Sequence, residues 1–162
     1  KKEEAMIVRV RRFLDLEPYD EPLRKFVTKW TRLERGVMTP QDAMIHVYTV
    51  LKNSAGFLFL DADETEDGLE LHGYVLAAIS AEPGRILQIL QQYTDREQGK
   101  REDVYRAIDD ILVDEARENG VGSIAYVSVR AVNDIHGSNR FFENRGYKRA
   151  AAVFTRDVEV VT

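Results

Sequence analysis

Apolar and polar residues alternate along Ala5 to Leu14 (AMIVRVRRFL), and this period predicts a first β-strand. A helical period replaces it from Pro22 to Arg35, where Leu23, Phe26, Val27, Trp30 and Leu33 share one face and Gly36 closes the run. Thr39 and Pro40 supply a cap and a first helical residue for a second helix carrying Ala43, Ile45, His46, Val47, Val50 and Leu51. Phe57 to Leu60 (FLFL) reads as a short strand. The acidic stretch from Asp61 to Gly68 (DADETEDG) reads as a solvated hairpin tip, and Leu69 to Ser80 as the returning strand. Arg85 to Tyr93 (RILQILQQY) is the next strand.

Beyond it, Val104, Ala107, Ile108, Ile111, Leu112 and Ala116 form one buried stripe of a helix, with Glu102 and Asp103 expected in its first turn and Gly120 as its stop. Ser123 to Val129 follows as a strand. Asn133 or Asp134 caps a shorter helix containing Phe141 and Phe142, stopped by Gly146, and Tyr147 to Val161 is strand-like. The order β-α-α-β-β-β-α-β-α-β predicts an α/β protein: a mixed central sheet flanked by helices. With no repeat and no low-complexity linker, a single domain over residues 1–162 is expected.

Composition narrows the function classes. A chain of 162 residues with 44% hydrophobic content is long enough to bury a full core. The net charge is −5, and no run of Lys and Arg is long enough to suggest nucleic-acid binding. There are no cysteines, which excludes disulfides, thiolate zinc sites and a cysteine nucleophile. No apolar stretch approaches the roughly 20 residues that span a bilayer. No membrane association and a cytoplasmic location are therefore the expectation, and a homodimer is left open. Asp61, Asp63 and Thr65 have the opening spacing of an EF-hand loop. Glu66 occupies its glycine position and His72 its closing glutamate position, so a calcium loop is rejected. The acids of this hairpin are expected to be solvated, or to draw a cationic amine towards a neighbouring cleft.

One stretch raises a sharper question. YTDREQGKRED, residues 93 to 103, places Gly99 among charges between a strand and a helix N-terminus. The first-turn amides of a helix lack intrahelical partners and carry partial positive charge, so such a turn suits phosphate. Gly99 would allow close approach of a ligand or a positive φ, and Arg96, Lys100 and Arg101 would add cationic charge. The same residues also suit an ordinary solvated turn. They form neither a P-loop nor a dinucleotide fingerprint.

Arg96-Glu97-Gln98-Gly99-Lys100-Arg101 resembles the Gln/Arg-x-x-Gly-x-Gly/Ala motif of the GNAT superfamily of N-acetyltransferases, with Arg101 in place of the last small residue. Phe141-Phe142-Glu143-Asn144-Arg145-Gly146-Tyr147 resembles that family's Phe-Tyr-Glu-Lys-x-Gly-Phe segment, and the element order agrees over nearly the whole chain. The resemblance implies a GNAT-like fold and acetyl-CoA as cosubstrate. It implies that the pyrophosphate rests on amides from Gln98 to Arg101, beside Arg96. The amides near Gln91, Gln92 and Tyr93 would orient the pantetheine and polarise the thioester, and a primary amine, small molecule or peptide, would attack directly. Asn133 would hydrogen-bond the pantetheine arm or cap a helix, and Phe142 would line the thioester pocket.

Phe142 departs from the tyrosine that many family members use to protonate the leaving thiolate. A thiol of pKa about 8.5 is a tolerable leaving group near neutrality, and protonating it offers roughly 2 kcal/mol. Deprotonating an alkylammonium at pH 7 costs roughly 4 to 5 kcal/mol, so the base matters more than the acid. No carboxylate lies in Arg85 to Tyr93, where the family often places its base. The candidates for chemistry are His72 and Glu70, on one face of the preceding strand, and Tyr93, which ends the fourth strand. His46 is expected to pack a helix or face solvent. A non-catalytic acyl-CoA-binding or protein-interaction module with the same fold is the alternative function.

Overall fold

A computed structural model of the chain describes residues 5–33, 39–53, 55–80, 85–126 and 142–148. The chain divides into two compact units, Lys1–Tyr126 and Val127–Thr162. In the first unit the elements run β1 (Ala5–Val10), a 3-10 helix (Phe13–Tyr19), α1 (Asp20–Leu33), α2 (Pro40–Lys52), β2 (Gly56–Thr65), β3 (Gly68–Ser80), β4 (Ile86–Thr94), α3 (Gln98–Glu118) and β5 (Ile124–Tyr126). The five strands form one mixed sheet in the order β1-β2-β3-β4-β5, antiparallel from β1 to β4 and parallel between β4 and β5. The expected α/β class, with helices flanking a mixed sheet, is the one observed.

The two faces of the sheet follow from the pleat. Leu58, Leu60 and Ala62 of β2 join Leu71, Tyr74 and Leu76 of β3 in a core with Leu23, Phe26 and Val27 of α1 and Ala43, Val47 and Leu51 of α2. Phe57, Phe59, Asp61 and Asp63 alternate with that set and point to the opposite face. There α3 packs on β4 and β5 through its stripe of Ile108, Leu112 and Ala116. Every residue from Gly56 to Asp63 is buried. Among the described residues no helix is long and apolar enough to cross a membrane.

Several boundaries differ from the sequence reading. β1 ends at Val10, because the basic residues beyond it turn outward and Arg12 pairs with Asp15 inside the 3-10 turn. β2 is not the four-residue FLFL: it continues through the acids to Thr65 and turns only at Glu66 and Asp67. The helix of the Gly99 segment starts at Gln98, so Glu102 and Asp103 lie in its second turn and its first turn holds no acid. Other signals read correctly. The Thr39 hydroxyl accepts from the Asp42 amide at 3.1 Å and caps α2. Gly120 has φ +65° and closes α3 with Gly120 N donating to Arg117 O and Val121 N to Ala116 O, the paired bonds of a Schellman motif.

Two bulges interrupt the ladders. His72 is the extra residue of β3, between Asp61↔Gly73 and Ala62↔Leu71. Leu90 is the extra residue of β4, between Leu76↔Gln91 and Ala77↔Ile89. The parallel pairing of β4 with β5 runs from Leu87↔Ile124 to Ile89↔Tyr126. The expected continuation of that strand to Val129, the helix start near Asn133, and the strand beyond residue 148 lie outside the described residues. In the second unit, the turn at 142–146 is closed by Gly146 at φ +87°, with Tyr147 N donating to Phe142 O at 2.9 Å.

Candidate functional site

The turn between β4 and α3 is stitched to β3 before it releases the helix. The His72 carbonyl accepts from the Asp95 amide at 2.8 Å and from the Thr94 hydroxyl at 3.1 Å, and that hydroxyl in turn accepts from the Arg96 amide at 3.1 Å. Side chains repeat the fastening. The Arg96 guanidinium donates from Nε and Nη2 to Asp61 at 2.9 Å each, and from Nη1 and Nη2 to Asp63 at 3.0 and 2.7 Å. His72 Nδ1 lies 2.9 Å from Asp95 Oδ1, whose other oxygen accepts from Lys29 Nζ of α1 at 3.0 Å. Asp61 and Asp63 are buried, and the Arg96 side chain is 9% exposed. The Arg96 bonds hold the Asp63 carboxyl below its ordinary range against the opposing effect of burial, and the same two aspartates raise the arginine.

This corrects two expectations. Asp61 and Asp63 are not a solvated lure for an amine; they are the internal counter-ions of Arg96, and of the acids in the stretch only Glu64, Glu66 and Asp67 remain exposed. Nor does Arg96 add free positive charge at the turn, because two carboxylates surround it. Arg101 folds back so that Nε and Nη2 lie 3.3 and 3.2 Å from the Arg96 carbonyl oxygen. Lys100 is exposed and has no ion-pair partner among the described residues.

What the fastened turn leaves open is the start of α3. The first intrahelical bond runs from Arg101 N to Glu97 O at 2.8 Å, and Glu97, the N-cap, makes no side-chain capping bond. The amides of Gln98, Gly99 and Lys100 therefore precede the helical ladder at the positive end of a 21-residue helix with no acid in its first turn. Gly99 does not have the positive φ that the sequence allowed. A Cβ built on it meets nothing within 4 Å. Neither backbone conformation nor packing within the chain asks for glycine there, so the open space above it is where a ligand would come closest. These donors fit a pyrophosphate.

The remaining candidates separate. Glu70 is exposed in β3, with a carboxylate oxygen 3.9 Å from His72 Nε2. His72 Nε2 is buried, lies 3.2 Å from Asp63 Oδ2 and makes no hydrogen bond. With both ring nitrogens turned to carboxylates, His72 is a member of the turn's framework and not a base open to substrate. Tyr93 is half-buried at the end of β4, its ring centre 5.6 Å from that of Tyr74, and burial raises its hydroxyl pKa. Gln92 interacts with Tyr105 of α3, whose hydroxyl pKa is also pushed up by burial. Gln91 is 2% exposed and is held by its own side chain: Tyr74 Oη donates to Oε1 at 2.6 Å, and Nε2 lies 2.9 Å from His46 Nδ1. Phe142, in the second unit, packs edge to face on Tyr147 with ring centres 5.1 Å apart. Asn133 lies outside the described residues. The sequence reading missed Lys29, Asp95 and His46 as polar partners. Only the period-two spacing of Asp61 and Asp63, continuing the alternation of FLFL, signalled that those acids belonged to a strand.

Neither a protein-family model nor a curated protein sequence matches the chain. Solved structures do. A predicted acetyltransferase of Clostridium acetobutylicum, solved with acetyl-CoA, superposes with a TM-score of 0.65 at 15% identity over 95% of this chain and 96% of that one. A ribosomal-protein-alanine N-acetyltransferase of Brucella melitensis biovar Abortus gives 0.53 at 19% identity over 98% and 100%. An aminoglycoside acetyltransferase from an uncultured soil metagenomic sample, in complex with sisomicin, gives 0.58 at 13% identity over 96% and 97%.

Proposed function

On the GNAT fold that this chain carries, we propose that the protein is an acetyl-CoA-dependent N-acetyltransferase acting on a primary amine. The observation that carries the reading is the start of α3, where free amides of Gln98, Gly99 and Lys100 and open space above Gly99 follow an anchored turn. In this reading the pyrophosphate accepts from those amides and from Lys100. The pantetheine runs along β4 past Tyr93 and Gln92 towards the Leu90 bulge, where the interrupted ladder presents its backbone to the thioester. The amine, having lost its ammonium proton to water, attacks the acetyl carbonyl through nitrogen; the adduct gives up its extra N–H proton to water, the C–S bond breaks, and the thiolate of CoA leaves. Much of the rate comes from holding the two reactants together. Tyr93, a phenol that is protonated at neutral pH and that burial pushes further from ionisation, is placed as a hydrogen-bond donor to the leaving thiolate. Phe142, which has no proton to give, instead favours a second reading, an acyl-CoA-binding module without turnover.

Turnover separates the two. Release of free CoA thiol is followed with acetyl-CoA and a panel of polyamines, amino acids, aminoglycosides and peptides with free N-termini. Thiol release that depends on one amine class, with the acetylated amine found by mass spectrometry, is the expected outcome. Binding of acetyl-CoA with no release across the panel would leave the binding module.

A further inference from the structure

A polar chain links β3 and β4 to α2 through Tyr74, Gln91 and His46. Tyr74 and Gln91 are 1% and 2% exposed, and His46 of α2 is half-buried at the end of the chain. Buried polar groups are costly unless their bonds are made, so the direction of each bond matters. The 2.6 Å between Tyr74 Oη and the carboxamide is short for an N–H donor and ordinary for an O–H donor. The tyrosine hydroxyl therefore donates, and the Gln91 oxygen is the atom that faces it. The Gln91 nitrogen, which has only hydrogens to offer, then faces His46 Nδ1 at 2.9 Å. Nδ1 must accept, so the ring is neutral and its proton sits on Nε2. Burial disfavours the charged ring in the same direction. Among the described residues Nε2 has no partner, and the His46 residue is only half-buried. Gln91 directly follows the Leu90 bulge of β4.

We propose that Tyr74, Gln91 and His46 form a one-way hydrogen-bond chain presenting a fixed neutral donor, His46 Nε2–H, on the α2 side of the β4 bulge, and that this donor takes an uncharged acceptor oxygen, an amide carbonyl or hydroxyl, of the amine substrate. His46 is thus a substrate-binding residue, not the general base and not a cation. The assignment rests on acetyl transfer taking place at β4. It narrows the substrate class to amines with an acceptor oxygen near the nitrogen, over plain alkylamines.

Two measurements test it. On the intact protein at pH 7.5, two-bond ¹⁵N–¹H correlation should show the His46 ring protonated on Nε2 and bare on Nδ1; a proton on Nδ1 overturns the chain's direction and the proposal. Thiol release is then measured with glycinamide and with propylamine in the wild type, His46→Phe and His46→Gln. Comparing the glycinamide-to-propylamine ratio of kcat/KM between proteins cancels the different basicities of the two amines. That ratio should fall roughly three- to tenfold in His46→Phe, the range of one neutral hydrogen bond, and be largely kept in His46→Gln, which retains an N–H donor. If both amines react and the ratio is the same in all three proteins, the role of His46 is wrong while acetyl transfer stands. If acetyl-CoA is turned over with other amines but not with glycinamide, the acceptor class is wrong. If no amine releases thiol, the acetyl-transfer reading fails and this assignment with it. His46→Phe removes the ring nitrogen that faces Gln91 Nε2; should that variant not fold, the tautomer measurement and the His46→Gln comparison still decide.

Discussion

Arg96 shows how the same residue type changes meaning with its surroundings. In the sequence it stands among cations beside a glycine and reads as part of a phosphate site. In the fold its guanidinium makes four bonds to Asp61 and Asp63, so its charge is spent inside the chain. Removing it strands two buried carboxylates. Arg96→Gln should cost about 3 to 5 kcal/mol, the range for breaking a buried ion pair, as measured by urea denaturation. The pH dependence has a definite sign. Asp63 has its folded pKa lowered, first by its bonds to Arg96, so its contribution is complete above the unfolded value of about 3.9 and is lost as pH falls through the folded value. In Arg96→Gln that depression is removed, and acid unfolding followed by circular dichroism should move to higher pH. An acid limb identical to wild type would contradict the placement of the pair. Gly99 is the converse case: the fold makes no demand for glycine, so a side chain there should cost the free protein nothing.

At the scale of elements, α3 is defined at both ends by backbone chemistry. Its C-terminus depends on Gly120 in the left-handed region. Gly120→Ala should destabilise the protein by about 1 kcal/mol, read as a lower urea midpoint with unchanged m-value, because a Cβ is strained at that φ. A midpoint at or above wild type would contradict the Schellman closure. The parts of the fold legible in the sequence were those set by local rules: the Thr39 cap, the Gly120 stop, the apolar stripe of α3 and the strand periods. The parts that were not legible depend on partners far apart in the chain. β2 extends through Asp61 and Asp63 only because Arg96, 33 to 35 positions later, compensates them, and hydropathy reads such acids as solvent-facing. His72 looked like a free strand histidine because neither Asp95 nor the bulge that turns it is visible locally. His46 was read as a residue that packs a helix or faces solvent, since its partner Gln91 lies 45 positions away. The turn from Arg96 to Arg101 was legible as a motif. Its physical basis was not, because the motif does not say that Arg96 anchors the turn while the amides remain free.

At the scale of the molecule, the mixed sheet of the first unit delivers the N-terminus of α3 just beyond the end of β4, and the Arg96 and His72 contacts fasten that turn to β2 and β3. The chain's net charge of −5 does not favour anions, so the proposed binding of a polyanionic cosubstrate would depend on this local arrangement and not on long-range attraction. The most direct test is a calorimetric titration of acetyl-CoA into the wild-type protein and into Gly99→Val, with melting temperatures taken alongside. The account predicts saturable binding to the wild type, with about 2.7 kcal/mol of added stability when acetyl-CoA is present at 100 times its Kd. It predicts that Gly99→Val melts no lower than wild type without ligand and gains nothing from acetyl-CoA. No heat and no shift with folded wild-type protein at millimolar acetyl-CoA, or equal binding by Gly99→Val, would contradict it.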